Sequence, residues 1–150
     1  MIRSLMQSDA ELVNSNWEYR SDGSLEMIQK MIGISEAKGG CVGLCVDGTL
    51  VSWILHYLDG SLGMLFTDEN YRRNGYAEFV VNGAVSDIRS KSQIHRENDT
   101  IDVDGERMIS YIVDSNEASK NLYLKLGWKR IAGADWVGYA PRQSKRNSLI

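Results

Sequence analysis

Two Asp-Gly pairs, Asp47-Gly48 and Asp59-Gly60, separate three apolar runs at residues 41–46, 50–58 and 61–67. Asp-Gly suits the central positions of a two-residue hairpin turn, which need left-handed backbone. Strands joined this way pair antiparallel in chain order, because a parallel partner needs a crossover of about a dozen residues or more. The stretch therefore predicts an antiparallel meander, and every other element must extend it or pack on it.

The third run leads into a polar break, then Arg72-Arg73-Asn74-Gly75-Tyr76-Ala77. Beyond it Ala77, Val80, Val81, Ala84, Val85 and Ile88 recur at helical spacing, which predicts a helix from Gly75 to about Lys91. A helix entered through two arginines and a glycine offers free backbone N–H groups, a positive dipole end and two guanidinium groups. That is an anion site suited to a pyrophosphate. An ordinary strand-to-helix turn with surface arginines is the other reading of these residues.

Upstream, Ile2 to Leu5 reads as a first strand. Ser8-x-x-Glu11 reads as a capping box opening a helix near Asp9, with Leu12, Val13 and Trp17 as its apolar face. The polar run 20–24 breaks the chain before a second helix carrying Leu25, Ile28, Met31 and Ile32, which Gly33 is expected to stop. Cys41 and Cys45 share a strand face and lack Cys-x-x-Cys spacing, so they read as reduced core residues. Downstream, residues 92–106 read as a flexible charged loop and 108–113 as a fifth strand. A helix follows from Asn116 to Leu126, stopped by Gly127. On it Asn116, Lys120 and Tyr123 share one face, while Ala118, Leu122 and Leu126 form another. Residues 128–131 and 136–140 read as a closing hairpin. The expected organisation is a single domain over 1–141 with a disordered tail over 142–150. A net charge of -3 argues against non-specific nucleic-acid binding. The apolar runs are too short to span a bilayer, and the start lacks the apolar core of a signal peptide.

The spacing Arg72-x-x-Gly75-x-Ala77 resembles the pyrophosphate loop of the GNAT acyltransferase superfamily. The run Asn116-Glu117-Ala118-Ser119-Lys120-Asn121-Leu122-Tyr123-Leu124-Lys125-Leu126-Gly127-Trp128 resembles that superfamily's Asn-x-x-Ala/Ser-x-x-Leu-Tyr-x-x-Leu-Gly-Phe signature, with Trp128 in the Phe place. A finer resemblance, to the C-terminal half of the glycine N-acyltransferase family, rests on Leu12-Val13-Asn14-x-x-Trp17, Val51-Ser52-Trp53, Gly60-Ser61-Leu62-Gly63-Met64 and Thr67-Asp68-Glu69-Asn70-Tyr71-Arg72. It implies a short paralogue or a fragment lacking that family's N-terminal half.

The resemblance implies an α/β GNAT fold, with a mixed, mostly antiparallel sheet and helices on both faces. It implies acyl transfer from acyl-coenzyme A or acetyl-coenzyme A, as co-substrate, to a small amine such as glycine, without a covalent enzyme nucleophile and without a metal. The coenzyme would be held by Leu65, Phe66 and Thr67, by Arg72, Arg73, Asn74, Gly75, Tyr76 and Ala77, and by Asn116 and Ser119. Asn116 has a helix cap as its competing role. Tyr123 would protonate the departing thiolate; its alternative is an ordinary core or surface tyrosine. Ser61 stands where the family carries a glutamate base, and His56 in the neighbouring strand is a further candidate base or an ordinary strand histidine. The expected partner is a small acyl acceptor, with neither nucleic acid nor membrane; the oligomeric state is open. The expected compartment is intracellular, cytoplasmic or mitochondrial. Two other readings stand beside this one: an acyl-coenzyme A-binding or interaction domain with little turnover, and a protein N-terminal acetyltransferase.

Overall fold

The computed structural model describes residues 1–96 and 108–133, and of residues 93–96 it describes the backbone alone. The meander forms as its turns require: β2 (Val42–Val46), β3 (Thr49–His56) and β4 (Ser61–Thr67) pair antiparallel in order. β1 (Ile2–Ser4) pairs antiparallel with β2, and β5 (Ile109–Ser110) pairs parallel with β4. The order across the sheet is therefore the order along the chain. β3 is shorter than its apolar run because residues 57–60 close the turn, with the Gly60 N–H on the Tyr57 carbonyl at 3.0 Å. β5 is shorter still, two residues where 108–113 was expected.

Among the described residues four helices cover the sheet: α1 (Ala10–Ser15), α2 (Ser24–Lys38), α3 (Tyr76–Arg96) and α4 (Glu117–Lys125). α1 and α2 bury Val13, Ile28, Met31 and Ile32 against Cys41, Trp53 and Leu55 on one face. α3 and α4 bury Val80, Val81, Ala84, Ile88 and Tyr123 against Val42, Val51, Ile54 and Leu62 on the other. The α3 stripe is the one its spacing predicts. Burying each such aliphatic side chain stabilises the fold by ~1.5–3 kcal/mol. Both cysteines are free and buried on the α1/α2 face.

Several local expectations are corrected. The Ser8-x-x-Glu11 box does not form; α1 starts at Ala10, after a 3-10 turn over Gln7–Asp9. There the Asp9 carboxylate accepts the Met6 N–H and both Arg3 guanidinium N–H groups, each within 2.9 Å. Burial alone would raise the Asp9 carboxyl, but these donors outweigh it and hold it below the usual range. Trp17 lies outside α1. α2 passes through Gly33 and ends at Lys38, because its end is set by α3. The Gly40 N–H bonds Asp87 Oδ2 at 3.0 Å, and Lys91 Nζ donates to the Ser35 carbonyl at 2.8 Å. α3 also runs through 92–96, part of the expected loop. Residues 128–131 form no strand. The expected strand at 136–140, the rest of the loop, the domain boundary at 141 and the tail lie outside the described residues. Among the described residues no helix is long and apolar enough to cross a membrane.

Candidate active site

β4 and β5 pair only at Ser61 with Ile109 and Leu62 with Ser110. β4 then runs on to Thr67, while residues 111–113 belong to no strand. Among the described residues the sheet therefore opens along residues 63–67 of β4, roughly 17 Å of strand. Among the described residues this edge has no strand partner, and backbone polar groups left this way demand one. A bulge lies inside the opening. The β3–β4 register shifts between Trp53 and Leu55, and Met64 adopts φ 50 on the facing strand. The extra residue bends β4 at that point.

Tyr123 closes the narrow end of the opening, in the same cluster as Leu62. It is 4% exposed, and its hydroxyl has no hydrogen-bond partner among the described residues. Burial pushes the phenol above the usual tyrosine range; Ser110 pulls it the other way, though the pair falls short of hydrogen-bond geometry. Trp128 holds the ring edge-on at 4.9 Å. An unsatisfied buried hydroxyl costs ~1–3 kcal/mol, so one kept at a strand divergence asks for a functional reason. The α4 face is not quite the expected one: Ala118 is exposed and Tyr123 is the buried position. α4 is short, nine residues, and Tyr123 is the one it buries in the α3-side core. Of the two roles open to Asn116, the structure builds the cap, with its Oδ1 accepting the Ser119 N–H at 3.0 Å.

Ser61 lies on the other face. Leu62 turns to the α3/α4 core, so its neighbours Ser61 and Gly63 turn toward α1 and α2. Ser61 is buried; its hydroxyl donates to Asp59 Oδ1 at 2.7 Å and its N–H to the same oxygen at 2.9 Å. These two bonds hold the Asp59 carboxyl below the usual range. His56 places Nδ1 2.9 Å from the Gly39 carbonyl oxygen. A carbonyl only accepts, so Nδ1 is the donor and the ring is tied to the α2–β2 junction.

The wide end of the opening leads into the arginine-glycine loop. Arg73 and Gly75 are left-handed, at φ 64 and φ 78. Such alternation curls the backbone and gathers N–H groups into an anion-binding concavity. Gly75 adopts this conformation without the steric cost a side chain would bring, and α3 begins directly after it. Arg72 Nε donates to the Thr67 carbonyl at 3.1 Å, joining the loop to the end of β4. Asn74 Nδ2 donates to the Tyr71 carbonyl at 3.1 Å. Among the described residues neither Arg72 nor Arg73 forms an ion pair. Arg72, Arg73, Asn74 and Gly75 are exposed, while Tyr76 and Ala77 are half-buried.

The residues between the two ends are contiguous with both. Leu65 packs on the α3/α4 core, and Phe66 stacks on Trp53 at 4.4 Å on the opposite face. Two contacts here are not evident in the sequence pattern. Fully buried Ser52 donates to the Phe66 carbonyl at 2.8 Å and meets Thr67 Oγ1 at 2.9 Å; its only signal is a lone hydroxyl in an apolar run. Glu78, the acid in the first turn of α3, pairs with Lys125 of α4 at 2.7 Å. That pair offsets a negative charge beside the loop and joins the two helices. Among the described residues no cluster of three or more His, Cys, Asp or Glu is placed to hold a metal.

Residues 41–97, from the entry to β2 through α3, match the family described as FR47-like protein. No curated protein matches the chain. Among solved structures, a Drosophila protein superposes with TM-score 0.68 and 22% identity over 87% of this chain, which spans 39% of that protein's length. A Xanthomonas campestris protein described as a GNAT-family acetyltransferase superposes with TM-score 0.59 and 19% identity, over 91% of this chain and 94% of its own. AAC(6')-Iy, solved with the bisubstrate analog CoA-S-monomethyl-acetylneamine, superposes with TM-score 0.64 and 14% identity, over 93% and 97%. The sheet order, the helices on both faces and these superpositions define the fold as that of the GNAT acetyltransferases.

Proposed function

We propose that this chain is an acyl-coenzyme A-dependent N-acyltransferase, moving an acyl group to the amine of a small acceptor by direct attack in a ternary complex. Glycine or another amino acid or amine is the proposed acceptor class. One observation carries the reading. The Tyr123 hydroxyl is buried, and unpartnered among the described residues, at the narrow end of an opening whose wide end runs into the Arg72–Ala77 loop. The match of residues 41–97 to an FR47-like family and the coenzyme A analog in AAC(6')-Iy support it.

The residues fit such a donor. Arg72, Arg73 and the N–H groups of residues 74–77 would hold its phosphates. The edge of β4 at Leu65, Phe66 and Thr67, unpaired among the described residues, would pair with its amide-bearing arm, with Asn116 and Ser119 alongside. When bound, coenzyme A supplies a thioester carbonyl activated toward amines. As the N–C bond forms and the C–S bond breaks, the Tyr123 hydroxyl would give its proton to the departing sulfur, and the proton shed by the acylated nitrogen would pass through water to the tyrosinate left behind. Its raised phenol stays protonated at neutral pH, as a general acid must. Backbone N–H groups along the bulged β4 edge stabilise the charge gathering on the carbonyl oxygen. Ser61 directs its own proton to Asp59, so its oxygen lone pairs are left to accept an N–H of the incoming amine.

Free-thiol release from acetyl- and benzoyl-coenzyme A, with a panel of amino acids, amines and short peptides, tests the reading. Acceptor-dependent release that falls in Tyr123→Phe and Arg72→Ala is expected. Neither release nor thermal stabilisation by coenzyme A would overturn it. Turnover on peptides alone would select a protein N-terminal acetyltransferase. A binding domain without turnover is a second reading, favoured by Ser61: its hydroxyl is committed to Asp59 in the place of a base. Stabilisation by coenzyme A without release from any acceptor selects it.

A further inference from the structure

The face of β4 opposite Tyr123 is built around a missing side chain. Gly63 is the first residue of β4 past the last β4–β5 pair. A Cβ placed there would lie 2.4 Å from Tyr57 Cε2 and 3.3 Å from Cδ2, so the Tyr57 ring rests on the Gly63 backbone. Gly63 is not among the residues with positive φ. The ring, and not the backbone conformation, is what requires glycine at this position. Next along the strand is the bulge at Met64, and then Phe66 on Trp53. Tyr57, Met64 and Phe66 are all partly buried on the α1/α2 side, so this face presents an apolar wall running out from the divergence point. The wall is not sealed, because Tyr57 also lines a groove of about 80 Å³ with Met31, Lys38 and His56. At the exposed β3–β4 turn Ser61 fixes the Asp59 carboxylate, and burial first and that charge second push the Tyr57 phenol up.

We infer that Tyr57, seated on Gly63, is the specificity-determining residue for the acyl acceptor, which is a primary amine on an apolar body. The ring is the wall on which the apolar body lies. Asp59 attracts the amine in its ammonium form before the proton is lost. The inference rests on the N-acyltransferase reading and adds the acceptor side to it.

The test measures the coenzyme A dissociation constant and the acceptor KM separately, for phenethylamine and for glycine. The variants are Tyr57→Phe, Tyr57→Ala and Gly63→Ala, with melting curves to verify folding. Tyr57→Phe keeps the ring and should recover most of the phenethylamine affinity that Tyr57→Ala loses. Tyr57→Ala should raise the phenethylamine KM about tenfold, move the glycine KM less, and leave coenzyme A affinity unchanged. Gly63→Ala should reproduce that pattern with Tyr57 still in the chain, because the new methyl displaces the ring. Unchanged acceptor KM in both alanine variants overturns the inference and leaves the donor reading standing. So does a loss of coenzyme A affinity as large as the KM effect. A parent protein that binds coenzyme A and acylates no amine overturns the inference together with the transferase reading. Failure to bind coenzyme A removes the donor site as well.

Discussion

The two ends of β4 solve different problems with different means. At the narrow end, Leu62, Ser110 and Tyr123 come together from β4, β5 and α4, and the key hydroxyl is buried among them. At the wide end, Thr67 to Gly75 is one continuous stretch, exposed, and shaped by two left-handed residues and side chain-to-backbone bonds. Burial raises the phenol and Trp128 holds its ring, which suits a group that is to keep a proton until it delivers it. Exposure and backbone curvature suit a group that must grip a charged ligand and release it. Substitutions should therefore separate. Changes at the narrow end should act on turnover, and changes at the wide end on donor affinity.

The largest expected effect is at Tyr123. Tyr123→Phe should lower turnover by about 100-fold or more while leaving coenzyme A affinity intact. It should not destabilise the protein, because it removes a buried hydroxyl that has no partner among the described residues; a gain of up to about 1 kcal/mol is expected. Thiol release and a melting curve on one preparation check both halves. A fall in stability with turnover retained would make this end ordinary packing and erase the contrast. The same phenol sets the sign of the alkaline response. In the proposed role it must be protonated to act and burial raises its pKa, so turnover is expected to persist through the usual tyrosine value of about 10 and to be lost as pH rises through the higher, folded-state value. A wild-type profile already falling well below that pH would assign the limb to another group.

At the wide end, Arg72→Ala and Arg73→Ala should each weaken coenzyme A binding about tenfold, the scale of a charge-assisted contact, with kcat at saturating donor within about twofold. Because both guanidinium groups are exposed, the difference from wild type should shrink at high salt. Gly75→Ala comes next in size. Its φ of 78 charges a side chain about 1 kcal/mol, or about fivefold in donor affinity. Gly63→Ala provides the control: another alanine for glycine on the same stretch of chain, expected to leave donor affinity alone. If the two glycine variants behave alike, the two ends are not functionally distinct.

The wide end is also the end a sequence discloses. Its strand, turn and helix are adjacent, and the α3 stripe and both Asp-Gly turns are local patterns. The narrow end brings Leu62 together with Ser110 and Tyr123 over long separations, and there, as at two nearer contacts that no periodicity reveals, the reading stops short. Gly63 looks like a weak strand residue until the Tyr57 ring is found on it. Asn116 presents two roles until its bond to Ser119 is seen. The end of α2 follows the same rule. Gly33 is the obvious stop by composition, yet the helix ends at Lys38 because Asp87 and Lys91, 47 and 56 positions from their partners, lie across its end. Contacts of that separation leave no periodic trace.

The smallest expected effect decides what Ser61 is. If its hydroxyl only closes the β3–β4 turn, Ser61→Ala costs one hydrogen bond to an exposed carboxylate that water can replace, about 1 kcal/mol or less, and kcat is unchanged. If it also accepts an N–H from the acceptor amine, kcat/KM for the acceptor falls several-fold while coenzyme A affinity holds. The acid limb of stability shows that the bond has gone in either case. Asp59 is held low first by the Ser61 hydroxyl and then by its N–H, so its contribution is present above the usual aspartate value near 4 and lost as pH falls through the lower, folded-state value. Ser61→Ala should shrink that loss by the hydroxyl's share and leave the share of the N–H. A variant with the smaller acid limb and wild-type kcat/KM would make Ser61 a turn residue and leave Tyr57 as the acceptor's main contact.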